Sequence, residues 1–454
     1  MIESIKKAFG EIAHIFINGD MKTRLSFFVM GYGCFTRKQY IKGLLYFLFQ
    51  IAVIAYFVFF GAQYIGQLGD LGTEAVRTIK VEGSNFPKKI PWDNSMLILL
   101  YGIMSLLVLI PLFMIWRSNL QSAAKAQKAV QQGKRPQTFL QDAKTLLNER
   151  FHITLLTLPM FSLVLFTVLP IIFMILIAFT NFDKLHQPPA KLFDWVGMGN
   201  ILDFFGKNQL MTDTVVGIFS WTMIWAVFAT FSNYLLGMIL AMMINKKGIK
   251  LKKMWRTIFV ITIAIPQFVS LMLMSKMLTD TGVINVILQN WGWIEKPIPF
   301  LTNVTYARIV VIVVNMWVGI PYTMLITTGI LMNIPRDLYE SASIDGAGPV
   351  KQFFKITLPY MLFVTSPYLI TQFVGNINNF NVIFLLTGGG PLSLDYYQAG
   401  KTDLLVTWLY KLTVNEQAYN LASTVGIFIF ILTGAISLIV YNLTGSVKRE
   451  EEFQ

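Results

Sequence analysis

The sequence predicts an all-α integral membrane protein with about eight transmembrane helices, and three observations carry that prediction. More than half of the residues are hydrophobic (55%) and only 13% are charged, a balance that belongs to membrane chains rather than soluble domains. Eight apolar runs are each long enough to cross about 30 Å of hydrocarbon as a helix. The 37 Lys and Arg sit in short blocks between those runs, so the net charge of +13 reflects the positive-inside rule rather than nucleic-acid binding.

Residues 1–40 form a charged N-terminal segment, too long before the first apolar run for a cleavable signal. Within it Ile2, Ile5, Phe9 and Ile12 follow helical spacing beside Lys6 and Lys7. Such a helix either lies on the membrane surface or packs on the protein's own cytoplasmic face. Residues 41–152 hold two spans, 41–62 and 95–116, joined by a polar outer segment with no periodicity. A basic stretch, 117–152, follows on the inside. It carries two amphipathic patterns (Leu120, Ala123, Ala126, Val130; then Phe139, Ala143, Leu146) separated by a break at Gly133–Pro136.

Residues 153–443 hold six more spans: 153–180, 215–243, 258–278, 310–332, 360–386 and 422–443. Pro170 is expected to kink the third, and Pro266 to break the fifth. A short cytoplasmic tail, 444–454, closes the chain. With eight spans both termini share one side. Segments assigned to the inside hold about 25 Lys and Arg against about 10 outside, which puts both termini in the cytoplasm.

The longest polar interruption of the last third joins the sixth and seventh spans, at Glu340-Ser341-Ala342-Ser343-Ile344-Asp345-Gly346-Ala347-Gly348-Pro349. Its punctuation spells two short helices. Pro335 suits a first helical turn, Gly346 a left-handed stop, and Pro349 the start of the next helix. Leu338, Ala342 and Asp345 share one side of the first helix. Val350, Phe353, Phe354 and Thr357 form an apolar stripe on the second, and Pro359 is expected to break the chain before the next span.

This stretch, running on to Ile356-Thr357-Leu358-Pro359, resembles the EAA loop of ABC importer permeases. Glu340, Ala342, Gly346, Ile356, Leu358 and Pro359 stand at the pattern's spacings, with Ser341 in place of its first Ala. The flanking residues resemble the MalF-type branch, whose members import maltose and maltodextrins. The resemblance covers most of residues 150–445 and implies that the last six spans form the permease core. It also implies a coupling helix, formed here by Glu340, Ser341, Ala342, Asp345, Gly346 and Ala347, that docks on a cytoplasmic ATPase. The implied partners are a second, MalG-type permease, two copies of that ATPase, and an extracellular sugar-binding protein. Only about 30 residues follow the third span, too few for the large outer domain that MalF proteins often carry there. By analogy, that favours a lipoprotein as the binding protein.

Polar side chains inside the spans mark function, because each is costly unless paired or facing a cavity. Gln372, Asn376 and Asn379 recur at i, i+4 and i+7 in the seventh span, extended by Tyr368. Asn315, Gly319 and Tyr322 do so in the sixth, beside Pro321, and Gln267 follows Pro266 in the fifth. Amides and aromatic rings without a carboxylate or guanidinium suit a neutral oligosaccharide; singly, each amide is as well explained as interhelical glue. The resemblance assigns Asn315, Gly319, Tyr322, Asn376 and Asn379 as sugar contacts. Ile263, Gln267 and Gln372 depart from the residues often found at those positions.

The remaining chemistry argues against other classes. Gly400-Lys401-Thr402 lacks the first glycine of a P-loop, since Asp395 stands there. His14, His152 and His186 lie in different segments, so no metal site or acid–base pair is suggested. Cys34 is the single cysteine. No cofactor is expected on this chain, with ATP and Mg on the ATPase. The reading is therefore a multi-pass permease subunit of a bacterial plasma-membrane importer for maltose or maltodextrin, in contact with lipid and not with nucleic acid. Its alternative is another oligosaccharide, raffinose-type or a multiple-sugar mixture. A secondary transporter or channel would call for intramembrane carboxylates or inverted repeats, and neither is evident.

Overall fold

The computed structural model describes residues 2–79, 88–246 and 248–443. The tail assigned to 444–454 lies outside the described residues. The chain divides into two compact units, Met1–Gly197 and Met198–Gln454, and the third span belongs to the first.

Among the described residues, seven helices are long and apolar enough to cross a membrane: Tyr40–Gly69, Ser95–Gln131, Phe151–Ile177, Gln209–Asn245, Val304–Leu331, Pro349–Leu386 and Tyr419–Asn442. The remaining span, the fifth in order, is a pair of helices, Lys252–Ala264 and Gln267–Met277, bent by 85°. Pro266 causes the bend. It offers no N–H to the helix, and it pushes Ile265 into extended backbone (ψ 127°).

In the first unit the second span overruns the membrane. Its 37 residues extend roughly 55 Å, nearly twice the hydrocarbon thickness. The overrun is the scaffold for the N-terminal segment. Leu120, Ala123 and Ala126 are buried there as the spacing predicts, while Val130 is half exposed. Helix Ile2–Asn18 packs along it: Arg117 and Gln121 donate to the Glu11 carboxylate at 2.6 and 2.8 Å, and Phe9 meets Phe113. Asn119 accepts from the Gly31 N–H and donates to the Ser26 carbonyl. Gln127 accepts from the Asp20 N–H and the Thr23 hydroxyl. Four polar side chains on one helix thus satisfy backbone and side-chain groups that would otherwise be stranded. The N-terminal helix packs on the protein; its Phe16 and Ile17 remain exposed.

The segment between the first and second spans, read as aperiodic, contains a two-stranded antiparallel sheet, Val76–Ile79 with Lys88–Pro91. The second amphipathic pattern folds as helix Phe139–Leu147, closed by a Thr138–Gln141 capping box. In the third span a π-helical turn, Val164–Val168, immediately precedes Pro170.

In the second unit the core lies between the fourth, fifth, sixth and seventh spans, where Trp221, Trp225, Leu271, Val311 and Ile383 pack together. A second cluster joins the fourth and eighth spans through Ile218, Val425 and Trp408, the last from a short helix, Leu405–Val414. Pro359 does not break the chain. A π-helical turn, Phe353–Thr357, links helix Pro349–Gln352 to Leu358–Ile377, and this wider turn accommodates a residue that lacks an N–H. The break falls later, at Asn378–Asn379, before the short helix Phe380–Leu386.

Candidate functional site

The fourth, sixth and seventh spans enclose a small cavity of about 50 Å³. Thr230, Asn233, Gly319, Tyr322, Tyr368 and Gln372 contribute to its wall, and no charged side chain does. Gly319 lies at the crossing of two helices, where a Cβ would lie 2.2 Å from the Asn233 amide nitrogen and that side chain would have to turn aside. The cavity has room for water and not for a sugar ring, because saccharide-sized pockets run to about 300 Å³ or more.

Of the residues singled out from sequence, Gly319, Tyr322 and Gln372 meet at this cavity. The others do not. Asn376 is buried and spent within the protein: its amide donates to the Thr230 hydroxyl at 3.0 Å, and its backbone carbonyl accepts from the Trp225 indole. Asn379 is not on the helix that carries Gln372, because that helix ends at Ile377. It instead caps Phe380–Leu386, accepting from the Val382 N–H, and donates to the Asn376 amide oxygen at 3.3 Å. Asn315 is buried, and its amide nitrogen has no hydrogen-bond partner among the described residues. Gln267 is exposed at the start of the helix after the 85° bend.

Sequence reasoning missed the fourth span's share of the cavity. Thr230, Asn233 and Tyr234 recur there at i, i+3 and i+4, the same signal that was read in the other two spans. Tyr234 is buried and shares a hydrogen bond with Thr365 of the seventh span at 2.7 Å.

The polar loop between the sixth and seventh spans folds as two braced helices. Arg336–Ile344 is capped by Pro335 rather than started by it. Gly346 adopts φ +75°, the left-handed stop its position predicts, and Pro349 opens the next helix. Gln352 donates to the Ser343 hydroxyl and the Ala347 carbonyl, both at 2.9 Å, and Tyr339 bonds Thr357 across the corner. Phe353 turns inward against the Tyr234, Met238 and Met361 cluster. The tip keeps its apolar groups outside: Ile344 is 86% exposed and Val350 71%. Glu340, Ser341, Asp345 and Gly346 are exposed around them, with Ala342 and Ala347 half-buried.

At the far end of the seventh span, the Gly388-Gly389-Gly390-Pro391 turn is held by the Thr402 N–H, which donates to the Gly389 carbonyl at 3.2 Å, and it packs against Asp403. Its carboxylate accepts from the Gly400 N–H at 2.7 Å, the Lys411 ammonium at 2.6 Å and the Thr407 hydroxyl at 2.9 Å. Burial raises the Asp403 pKa above its ordinary value, and those three donors offset only part of the effect. Thr402 ties the turn to the fourth span by accepting from the Trp221 indole, and Arg308 of the sixth span stacks on that same ring.

Comparison with known proteins places this architecture. Residues 233–448 match the model of the family described as binding-protein-dependent transport system inner membrane component. The galactooligosaccharides transport system permease protein GanP of Bacillus subtilis (strain 168) is 33% identical over 93% of this chain and 97% of its own length. The maltodextrin transport system permease protein MdxF of the same strain is 32% identical over 96% and 99%. Among solved structures, a bacterial ABC transporter involved in the import of the acidic polysaccharide alginate aligns with a TM-score of 0.53. It is 23% identical and covers 66% of this chain and 97% of that one, a likeness of fold.

Proposed function

The chain belongs to the binding-protein-dependent transport system inner membrane component family, and we propose that the cargo it passes is a neutral maltodextrin. It is a permease subunit of an ABC importer, a multi-pass membrane protein that serves as a transport subunit. The observation that carries the cargo reading is the cavity wall. It offers three tyrosines, two amides and two threonines, with no ionic side chain to hold an acidic sugar. The maltodextrin permeases among its relatives support the α-linked form; the similar GanP supports a galactooligosaccharide as the second reading.

In the same reading Gly319, Tyr322 and Gln372 line the path, with Asn315, Asn376, Asn379 and Gln267 joining it only once the helices separate. Glu340, Ser341, Ala342, Asp345, Gly346 and Ala347 form the knob that meets the ATPase. Two ATPase copies bind ATP and Mg, a second permease completes the pore, and an external binding protein delivers the sugar. Both termini face the cytoplasm of a bacterial cell. The test is uptake of labelled maltotriose and of a β-linked galactotriose by cells with and without the gene. Loss of maltotriose uptake alone supports the reading, and loss of galactotriose uptake alone replaces it.

A further inference from the structure

The first unit has a cavity of its own. A hollow of about 970 Å³ lies between the start of the first span, the overrun of the second span and helix Phe139–Leu147. Its wall carries six cations, Lys42, Lys125, Lys128, Lys134, Arg135 and Arg150, against two carboxylates, Asp142 and Glu149. Lys42 is paired with Asp142 at 2.8 Å. The other five cations make no ion pair among the described residues.

Its height along the second span is informative. About 20 residues of helix from Ser95 cross the hydrocarbon, which brings the chain to the membrane surface near residue 115. Ser118 and Ser122 follow within two turns, and both bond the hydroxyl of Tyr46, at 3.0 and 3.2 Å. Lys125 and Lys128 come next. The cations thus stand at headgroup level, and the same wall includes exposed Leu45, Phe139 and Leu146. A soluble anion would need only the charge; a wall that is cationic on one side and apolar on the other suits a headgroup with its chains attached.

Gln39 stands at the edge of the hollow and is tied back to the protein, its amide nitrogen donating to the Gln137 carbonyl at 2.7 Å. We propose that this hollow binds the headgroup of an anionic phospholipid, with its phosphate among Lys125, Lys128, Lys134 and Arg135.

The test uses the delipidated full-length chain in neutral detergent, with bound lipid counted by native mass spectrometry. The ligands are dioctanoyl phosphatidylglycerol, dioctanoyl phosphatidylcholine and glycerol 1-phosphate. Phosphatidylglycerol should be retained in preference to phosphatidylcholine and should not be displaced by an equal concentration of glycerol 1-phosphate. Each lysine at a lipid surface contributes about fivefold in affinity, so Lys125→Gln with Lys128→Gln should weaken phosphatidylglycerol binding by about 25-fold. Both lysines are exposed, so the fold should survive. Lys252→Gln with Lys253→Gln, equal in charge but in the other unit, should leave binding unchanged. Equal retention of the two lipids overturns the proposal, as does unchanged binding in the first double variant. Displacement by glycerol 1-phosphate would make this a soluble-anion site and overturn the lipid assignment.

Discussion

Asn376 donates to the Thr230 hydroxyl at 3.0 Å, joining the seventh span to the fourth in the middle of the apolar core. In this arrangement the amide stabilises the helix contact. Asn376→Ala should therefore cost about 1–2 kcal/mol. Thr230→Val should cost less, and the double variant less than the sum of the two. Thermal unfolding of the purified permease through this cycle measures the coupling. Strict additivity would mean that the bond contributes nothing and that any transport defect of Asn376→Ala is a lost sugar contact.

Gly319 and Asn233 give a sharper test of the cavity. Gly319→Ala places a methyl 2.2 Å from the Asn233 amide nitrogen, so the fourth and sixth spans must shift apart or the amide must swing into the cavity. Uptake should fall severalfold. Adding Asn233→Ala makes room for the methyl and should restore stability; restored uptake as well would show that Asn233 blocks rather than binds. Normal uptake in Gly319→Ala alone would show that this crossing does not bear on the path.

The eight spans were legible in the sequence because a crossing helix is a local property, set by about 20 consecutive residues. Gly346 and Pro349 were legible for the same reason. The cavity was only half legible, because helical spacing names a face but not its partner. Asn376 and Asn379 fit the periodicity of one helix, yet the chain breaks between them, and no periodic rule registers a break that keeps the spacing. Pro359 misled in the opposite direction. A proline near a helix start is compatible with continuation when the preceding turn is widened, and the neighbouring turns decide that.

The Asp403–Lys411 pair predicts a pH-dependent variant. Because burial raises the folded pKa of Asp403 above its ordinary 3.8, the native state holds the extra proton between those two values. Stability from this group is therefore full below 3.8 and declines as pH rises through the folded pKa. Lys411→Met removes the partner charge and leaves a buried carboxylate, at a cost of about 3–5 kcal/mol near neutral pH. The same variant should lose less at pH 5 than at pH 8. Equal losses at both would place the carboxylate in contact with water.

Membrane orientation can be read with thiols, because Cys34 is a silent background. It is fully buried, and burial pushes its pKa up to about 11, so little thiolate forms. Gln132→Cys and Lys250→Cys should resist an impermeant maleimide in intact cells, whereas Leu394→Cys, on the fully exposed outer turn, should react. Lys250 is preferable to Gly248, whose φ of +94° would strain a cysteine. Labelling of Gln132→Cys or Lys250→Cys before lysis would reverse the map.

The loop between the sixth and seventh spans presents Ile344 at its tip, 86% exposed, two residues from the left-handed Gly346. In the proposed reading Ile344 is the apolar part of the ATPase contact. Two substitutions separate its shape from its chemistry. Gly346→Val has open space around the new side chain, so its cost is backbone strain alone, about 1–2 kcal/mol, and it should tilt the second helix. Ile344→Asp leaves the backbone as it is and puts a charge into the contact. Each should reduce co-purification of the ATPase, and sugar-stimulated ATP hydrolysis in proteoliposomes should fall with it. Glu340→Lys, at the exposed rim, should act mainly through salt-dependent association. Capture of sugar by the binding protein should be unaffected in all three. If Ile344→Asp and Gly346→Val both retain the ATPase and transport at the normal rate, the corner is a connector and the ATPase docks elsewhere.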